Sequence, residues 1–527
     1  MSKAMKKTLQ RLSVSFFLPA LTCLIASTSF AKEAQKPAPN AGGNVQATAQ
    51  YYDKLISGAT PQTAELNLLM NLLPKGGDLH HHYSGAIYAE TYIDWVGKQG
   101  YCVYRQDEPA NCSEAFPVAK TCHAKYRIDT SHPNVNAIDT NCLTAQQIED
   151  DNGFYRNLLM RWSDKDFYNH SHESSPPDKQ FFDTFGYFGA ASGYSPDIGL
   201  TMLKQQAKAN NLQYLETMLK GAPAPENAEL SHRVNALAPD AEAETIRTEL
   251  RAYANLLDHD ATAQKAIVDY RSALAGYAKG IDDGEFTLRF QTYVSRNSAP
   301  GQVFAGLYAA FAAAHDNPLL VGVNIVGPEN GVVAMRDYRL HMEMFHFLKQ
   351  RFPDVRLAMH AGELTLGMVP PAGLQNHIRD AVDIAGAERI GHGIDVTYEA
   401  APDALLEDMK KRHVAVEICL SSNAFILGVE KEAHPVTVYM RHHVPFVIAT
   451  DDEGVSRSNI SAEYLLFVTR YKPTYPQLKN VIYDSIRYSF LSEADKKLQI
   501  KQLDERFRRF EAAAAKLSVE ARTVASE

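Results

Sequence analysis

Eight short apolar segments recur along this chain from Lys75 onward, each suited to a strand covered on both faces, with longer helix-like patterns between them. They centre on Asp78 to Tyr83, Leu212 to Met218, Phe286 to Val294, Leu320 to Val326, Arg356 to His360, Arg389 to Gly391, Val414 to Cys419 and Phe446 to Thr450. Strands alternating with helices imply βα units and a parallel sheet. Several segments are rich in Val, Ile and Leu, as doubly covered parallel strands are. Eight such units predict an α/β fold of the (β/α)8 TIM-barrel type, in which chemistry gathers at the C-terminal ends of the strands.

The ends of the chain read differently. Lys3, Lys6, Lys7 and Arg11 precede an apolar run from Leu12 to Ala26, and Ser29-Phe30-Ala31 offers small residues where a signal peptidase cuts, so residues 1–31 are expected to be a cleaved signal peptide. That implies an exported protein, periplasmic or secreted, with an uncleaved membrane anchor or a lipid anchor at Cys23 as the alternatives. Loss of those four cations takes the formal net charge from −9 to −13. A chain so acidic is a poor match for nucleic acid or an anionic membrane, and a small neutral substrate fits better. Residues 32–73 read as a linker and N-terminal helices. The second helix is expected to start at Thr60-Pro61, and its stripe of Leu66, Leu69, Met70, Leu72 and Leu73 would pack on the barrel or on a second subunit.

The barrel is expected over residues 74–515. The gap between its first two strands is far longer than one helix needs and points to an insertion at about 98–152. Cys102, Cys112, Cys122 and Cys142 fall there, and in an oxidising compartment they suggest two local disulfides with three possible connectivities. Cys419 reads as a buried, unreacted thiol.

Ligand-type residues end five of the eight segments. Strand alternation sends His80 and His82 into the barrel and His81 to the other face. His360 ends the fifth segment with Glu363 just beyond it, His392 stands between two glycines that would expose it, Glu417 lies in the seventh segment, and Asp451 and Asp452 close the eighth. Each has a bland reading: a surface histidine cluster, a helix-capping Glu, a structural histidine, a solvated acidic turn. Their recurrence at one kind of structural position favours a shared site, and three histidines with an aspartate suit Zn²⁺.

Those residues carry a resemblance. Pro74-Lys75 through Leu79-His80-His81-His82, then His360-Ala361-Gly362-Glu363, Gly391-His392-Gly393 and Thr450-Asp451-Asp452, resemble in order the successive motifs of adenosine deaminases, over about Pro74 to Leu491. Glu417-Ile418-Cys419 with Ser421-Ser422-Asn423 is similar to the family's seventh-strand motif, and Ser489-Phe490-Leu491 to its C-terminal helix. The signal peptide, N-terminal helices and cysteine-bearing insertion after strand one resemble the layout of the secreted adenosine deaminase-related growth factors. The resemblance implies hydrolytic deamination of adenosine or deoxyadenosine to inosine or deoxyinosine and ammonia by zinc-activated water, and a homodimer joined through the N-terminal helices. It implies zinc held by His80, His82, His360 and Asp451, Glu363 as proton donor to purine N1, and His392 as the base that takes a proton from the water or orients it. It implies Asp452 at purine N7 and the backbone N–H of Gly327 at N3. Ser84 departs from the pattern, standing where many family members carry an acidic residue implied to touch the ribose. Another purine-directed deaminase or a different barrel amidohydrolase is the alternative enzyme. A secreted binding protein on an inactive barrel is the non-enzymatic alternative.

Overall fold

A computed structural model describes residues 41–107, 124–130, 141–167 and 176–524. The proposed cleavage site, Cys23, Cys112 and Cys122 lie outside the described residues.

The eight expected strands are present with their ends shifted by a few residues at most: β1 (Gly76–His82), β2 (Leu212–Met218), β3 (Thr287–Ser295), β4 (Leu320–Val326), β5 (Ala358–Ala361), β6 (Arg389–His392), β7 (Ala415–Ile418) and β8 (Phe446–Ile448). β1 to β4 pair in parallel in sequence order, and so do β5 to β8. Two parallel bridges join these halves, Val323 to Leu357 and His81 to Asp451. At the second, Asp451 N–H donates to His80 O (2.9 Å) and His82 N–H to Asp451 O (3.0 Å). The strands therefore close into a (β/α)8 barrel, and the stitch that closes it is made by three residues expected in the site.

The barrel wall is apolar where helices cover it. Leu215, Phe290, Val323, Met359, Ile390, Val416 and Val447 are all buried, the pattern that two-sided coverage demands. His81 is buried on the outer side of β1, its Nδ1 2.9 Å from Thr217 Oγ1, so the triple histidine is not a surface cluster.

At the N-terminal end, α1 (Ala41–Ile56) packs along the C-terminal helix Glu493–Val524, and α2 (Thr63–Leu72) against the helix Ile460–Tyr471. Of the α2 stripe, Leu66, Leu69, Met70 and Leu73 are buried within this chain, whereas Leu72 stays exposed. The helix begins after Thr60-Pro61 because Gln62 N–H turns back to Leu55 O (2.9 Å), which fixes the corner between α1 and α2.

Between β1 and β2 lie a small antiparallel sheet (Cys102–Tyr104, Ile128–Asp129, Cys142–Leu143) and several helices, including Pro177–Ser192. A Cys102–Cys142 disulfide clamps two strands of that sheet. Phe181 and Phe188 are buried on Pro177–Ser192. That helix packs against Leu420–Leu427, which follows β7, so the connection between β1 and β2 reaches the C-terminal rim of the barrel.

Candidate active site

The ends of β1, β5 and β8 bring His80, His82, His360 and Asp451 together, with one potential ligand atom from each within 4.8 Å of all the others. His82 Nε2 lies 3.2 Å from His360 Nε2 and 3.3 Å from Asp451 Oδ1, and His80 Nε2 lies 3.5 Å from the same oxygen. Ligands about 2.0–2.1 Å from a zinc ion at tetrahedral angles are about 3.3–3.4 Å apart. The spacing is therefore that of a coordination shell, and Asp451 holds its place in left-handed backbone, at φ 60°.

Hydrogen bonds fix which ring nitrogen of two histidines faces inward. Gln291 Nε2 donates to Leu79 O (3.0 Å) and Glu216 Oε2 (3.1 Å), which leaves its Oε1 to accept from Asn324 Nδ2 (3.2 Å). Asn324 Oδ1 then accepts both from His360 N (3.1 Å) and from His360 Nδ1 (2.8 Å). His360 Nδ1 must carry the proton, and its Nε2 lone pair points into the cluster. His80 Nδ1 donates to Glu417 Oε2 (2.7 Å), whose Oε1 accepts from Arg389 Nε (2.6 Å), and Arg389 Nη2 reaches Glu216 Oε2 (2.6 Å). A continuous polar chain thus runs beneath the cluster from one histidine to the other. His80 Nε2 is buried without a hydrogen-bond partner. A lone pair there, facing other lone pairs and a carboxylate, calls for a positive charge, a proton or a metal ion.

The electrostatics agree. Burial lowers His82 to about 4 and His360 well below its ordinary value, so both rings are neutral, the form a metal ligand needs. Burial would lower His80 too, but Asp451 and Glu417 overcome it and lift the ring to about 10, the same pull that draws a positive ion to Nε2. Burial works against ionised Asp451 as well, yet His80, 3.5 Å away, and the surrounding histidines hold it well below the carboxylate range. For Glu417 the opposing pulls are burial and then Arg389 and His80, with a net lowering. The residues fit a divalent cation.

Beside the cluster stand groups suited to proton transfer. His392 Nε2 lies 3.6 Å from Glu363 Oε1. Burial, then Asp451 and Glu329, push Glu363 well above the carboxylate range, so it is a protonated donor. Burial and ionised Asp451 push Asp452 up likewise. Burial lowers His392 to about 3. Gly327 follows β4 at φ 96°.

Two glycines act by absence. A Cβ on Gly391 would sit 2.7 Å from His80 Cε1, so this glycine makes room for the neighbouring ligand rather than for His392, as its sequence position suggested. A Cβ on Gly85 would fall 1.5 Å from Asp452 Oδ1.

Several supports escaped sequence reasoning. Glu329 accepts from the backbone N–H groups of Gly362 (3.1 Å) and Glu363 (2.9 Å) and pairs with His377 (2.6 Å) and Arg296 (3.3 Å). It joins the Gly327 loop to the Glu363 loop. Glu216, Gln291, Asn324 and Arg389 lie within strands where nothing in their spacing marks them. Cys419 is a free, buried thiol that burial pushes well above its ordinary value, as expected of an unreactive one.

An eight-stranded α/β barrel with a ligand cluster at its C-terminal mouth defines the class. The adenosine deaminase family model matches residues 265–506. An adenosine deaminase of Clostridium perfringens is 30% identical over 173 residues, 33% of this chain and 50% of the relative. One from Serratia proteamaculans is 33% identical over 153 residues, 29% of this chain and 42% of the relative. The chain spans about half or less of the length of these curated relatives. Among solved structures, the N6-methyl-AMP deaminase of Arabidopsis thaliana superposes with a TM-score of 0.51 at 15% identity, covering 83% of this chain and 98% of that one, a likeness of fold. Over the matched region the chain is similar to adenosine deaminases.

Proposed function

We propose that this protein is a zinc-dependent hydrolase that deaminates adenosine or deoxyadenosine to inosine or deoxyinosine and ammonia. The observation that carries the reading is the convergence of His80, His82, His360 and Asp451 beside the Glu363–His392 pair and Asp452. Zinc held by those four residues would supply a water whose pKa is lowered to about 7.

The chain's own groups account for the rest. Glu363, kept protonated by burial, donates to purine N1, which removes electron density from C6 and prepares it for attack. Purine N7 is an acceptor, so Asp452 must also carry a proton to bond it, and burial beside Asp451 favours that form. The Gly327 N–H meets N3. The barrel mouth removes bulk water, which strengthens each of these contacts. Ser84 offers a hydroxyl rather than a carboxylate near His82, so selectivity for the 2′-position of the sugar is the finer question. The N-terminal basic and apolar segment and the Cys102–Cys142 bond support export to the periplasm or beyond.

The test is ammonia release and the ultraviolet change on adding adenosine, deoxyadenosine and adenine to the purified protein, repeated after chelation and with Glu363→Gln. Turnover lost in both controls supports the reading. No turnover by folded, zinc-loaded protein overturns it in favour of another amidohydrolase or a binding role.

A further inference from the structure

The sequence left His392 two roles, taking a proton from the attacking water or orienting it. A hydrogen-bond relay behind the ring separates them. The backbone N–H of Val436, at the start of the helix Val436–His442, donates to His434 Nδ1 (3.1 Å). A backbone amide can only donate, so His434 Nδ1 is a lone pair and the proton of this neutral ring is on Nε2. His434 Nε2 lies 3.3 Å from Asn423 Oδ1, which accepts that proton. The Asn423 amide is thereby oriented, since the flipped amide would set its NH₂ against an N–H. Its Nδ2 then donates to His392 Nδ1 (3.0 Å). All three side chains are buried, His434 and His392 at 1% exposure and Asn423 at 0%, so no bulk water competes for these bonds.

We infer that Val436, His434 and Asn423 lock His392 as the tautomer protonated on Nε2, so that His392 is a hydrogen-bond donor to the attacking oxygen and not its base. With Nδ1 already accepting and Nε2 already protonated, the ring has no free lone pair toward the site. Protonation at Nδ1 would set N–H against the Asn423 NH₂. The lowered pKa of His434, to about 3 through burial and Arg470, agrees with its neutral state. His392 Nε2–H also faces an acceptor, Glu363 Oε1, at 3.6 Å.

The tautomer stands on geometry alone; the role rests on the deaminase reading above. Under that reading one carboxyl balances the protons. Glu363 gives its proton to N1, and the carboxylate left behind takes one from the water as the C6–O bond forms. That proton leaves with the amine as the C6–N bond breaks, and the C6 hydroxyl proton returns to Glu363 as the carbonyl forms. His434 and Asn423 are positioning residues.

The experiment is a two-bond ¹H–¹⁵N correlation spectrum of the histidine-labelled, zinc-loaded protein, with the His392 signals assigned by their loss in His392→Gln. It is paired with kinetics of Asn423→Asp. The aspartate still accepts from His434 but must also accept from His392 Nδ1, which reverses the tautomer at constant size. Expected are an Nε2-protonated His392 in the parent, an Nδ1-protonated one in Asn423→Asp, and a kcat on adenosine about 10²–10³-fold lower with KM little changed, as when a donor to a developing oxyanion is lost. His434→Ala should lower kcat, and His434→Gln, which keeps a donor, should recover most of it. An Nδ1-protonated His392 in the parent overturns the inference, and so does an Asn423→Asp enzyme as fast as the parent. If no purine is turned over, the spectra still decide the tautomer, so failure of the deaminase reading and failure of the relay remain distinguishable.

Discussion

Replacing Glu417 by Gln tests whether the chain beneath the cluster governs ion binding. Glu417 accepts two buried donors, His80 Nδ1–H at 2.7 Å and Arg389 Nε–H at 2.6 Å, one on each oxygen. Glutamine keeps one acceptor and turns an NH₂ toward the other donor. If His80 loses its partner, the ring is free to take the wrong tautomer and turn Nε2 away from the cluster. A change of this kind costs about 10–100-fold in metal affinity, or about 1.4–2.8 kcal/mol. If Arg389 loses the bond instead, it keeps Glu216 (2.6 Å) and Tyr488 O (3.0 Å). The penalty then stays near the 1–3 kcal/mol of an unsatisfied buried donor rather than the 3–5 kcal/mol of a fully unpaired buried charge. Competition with a chromophoric chelator reads the first effect, and denaturant unfolding of the metal-free protein reads the second. Glu417→Gln is expected either to bind zinc at least tenfold more weakly or, if the amide oxygen stays on His80, to lose about 1–3 kcal/mol of stability. An affinity within about threefold of the parent together with parent-like stability would refute the argument that this carboxylate holds both donors.

Two further outcomes follow from the site. Glu329→Gln removes a negative neighbour that helps keep Glu363 protonated and weakens the hold on two backbone amides. Glu363 must be protonated to donate, so kcat falls as pH rises through its pKa. The substitution lowers that pKa, so the alkaline limb of the kcat–pH profile should move to lower pH, with kcat at the optimum down about tenfold; an unmoved limb would contradict the assignment. Gly85→Ala places a methyl where Asp452 Oδ1 now lies. It should raise KM for adenosine at least tenfold with little change in zinc content by elemental analysis, and parent-like kinetics would remove Asp452 from purine binding.

The strands were legible because several are Val-, Ile- or Leu-rich runs buried on both faces, and a polar residue at the end of such a run is conspicuous. That is why His80, His360, His392 and Asp451 stand out in the sequence as a set, though each alone has a bland reading. The supports do not. His80 and Glu417 are 337 residues apart, and Glu216, Gln291, Asn324 and Arg389 meet only because the barrel closes. Gln291 and Asn324 are uncharged residues inside strands, with no periodicity to mark them. His434 lies in a connecting segment far from any expected strand end, and its relation to His392 exists only through Asn423. The purpose of Gly391 is hidden for the same reason: its missing side chain serves a ring on another strand. Local pattern reports which face a residue takes, whereas tautomers and clearances depend on neighbours distant in sequence.

The most direct test of the central claim is zinc titration of the chelated protein, following bound ion and adenosine turnover together, in the parent and in Asp451→Asn. The account predicts one ion per chain, activity rising in step with occupancy, and loss of both in the variant. Full turnover by the ion-free parent, or an Asp451→Asn protein that binds zinc and deaminates as the parent does, would contradict it.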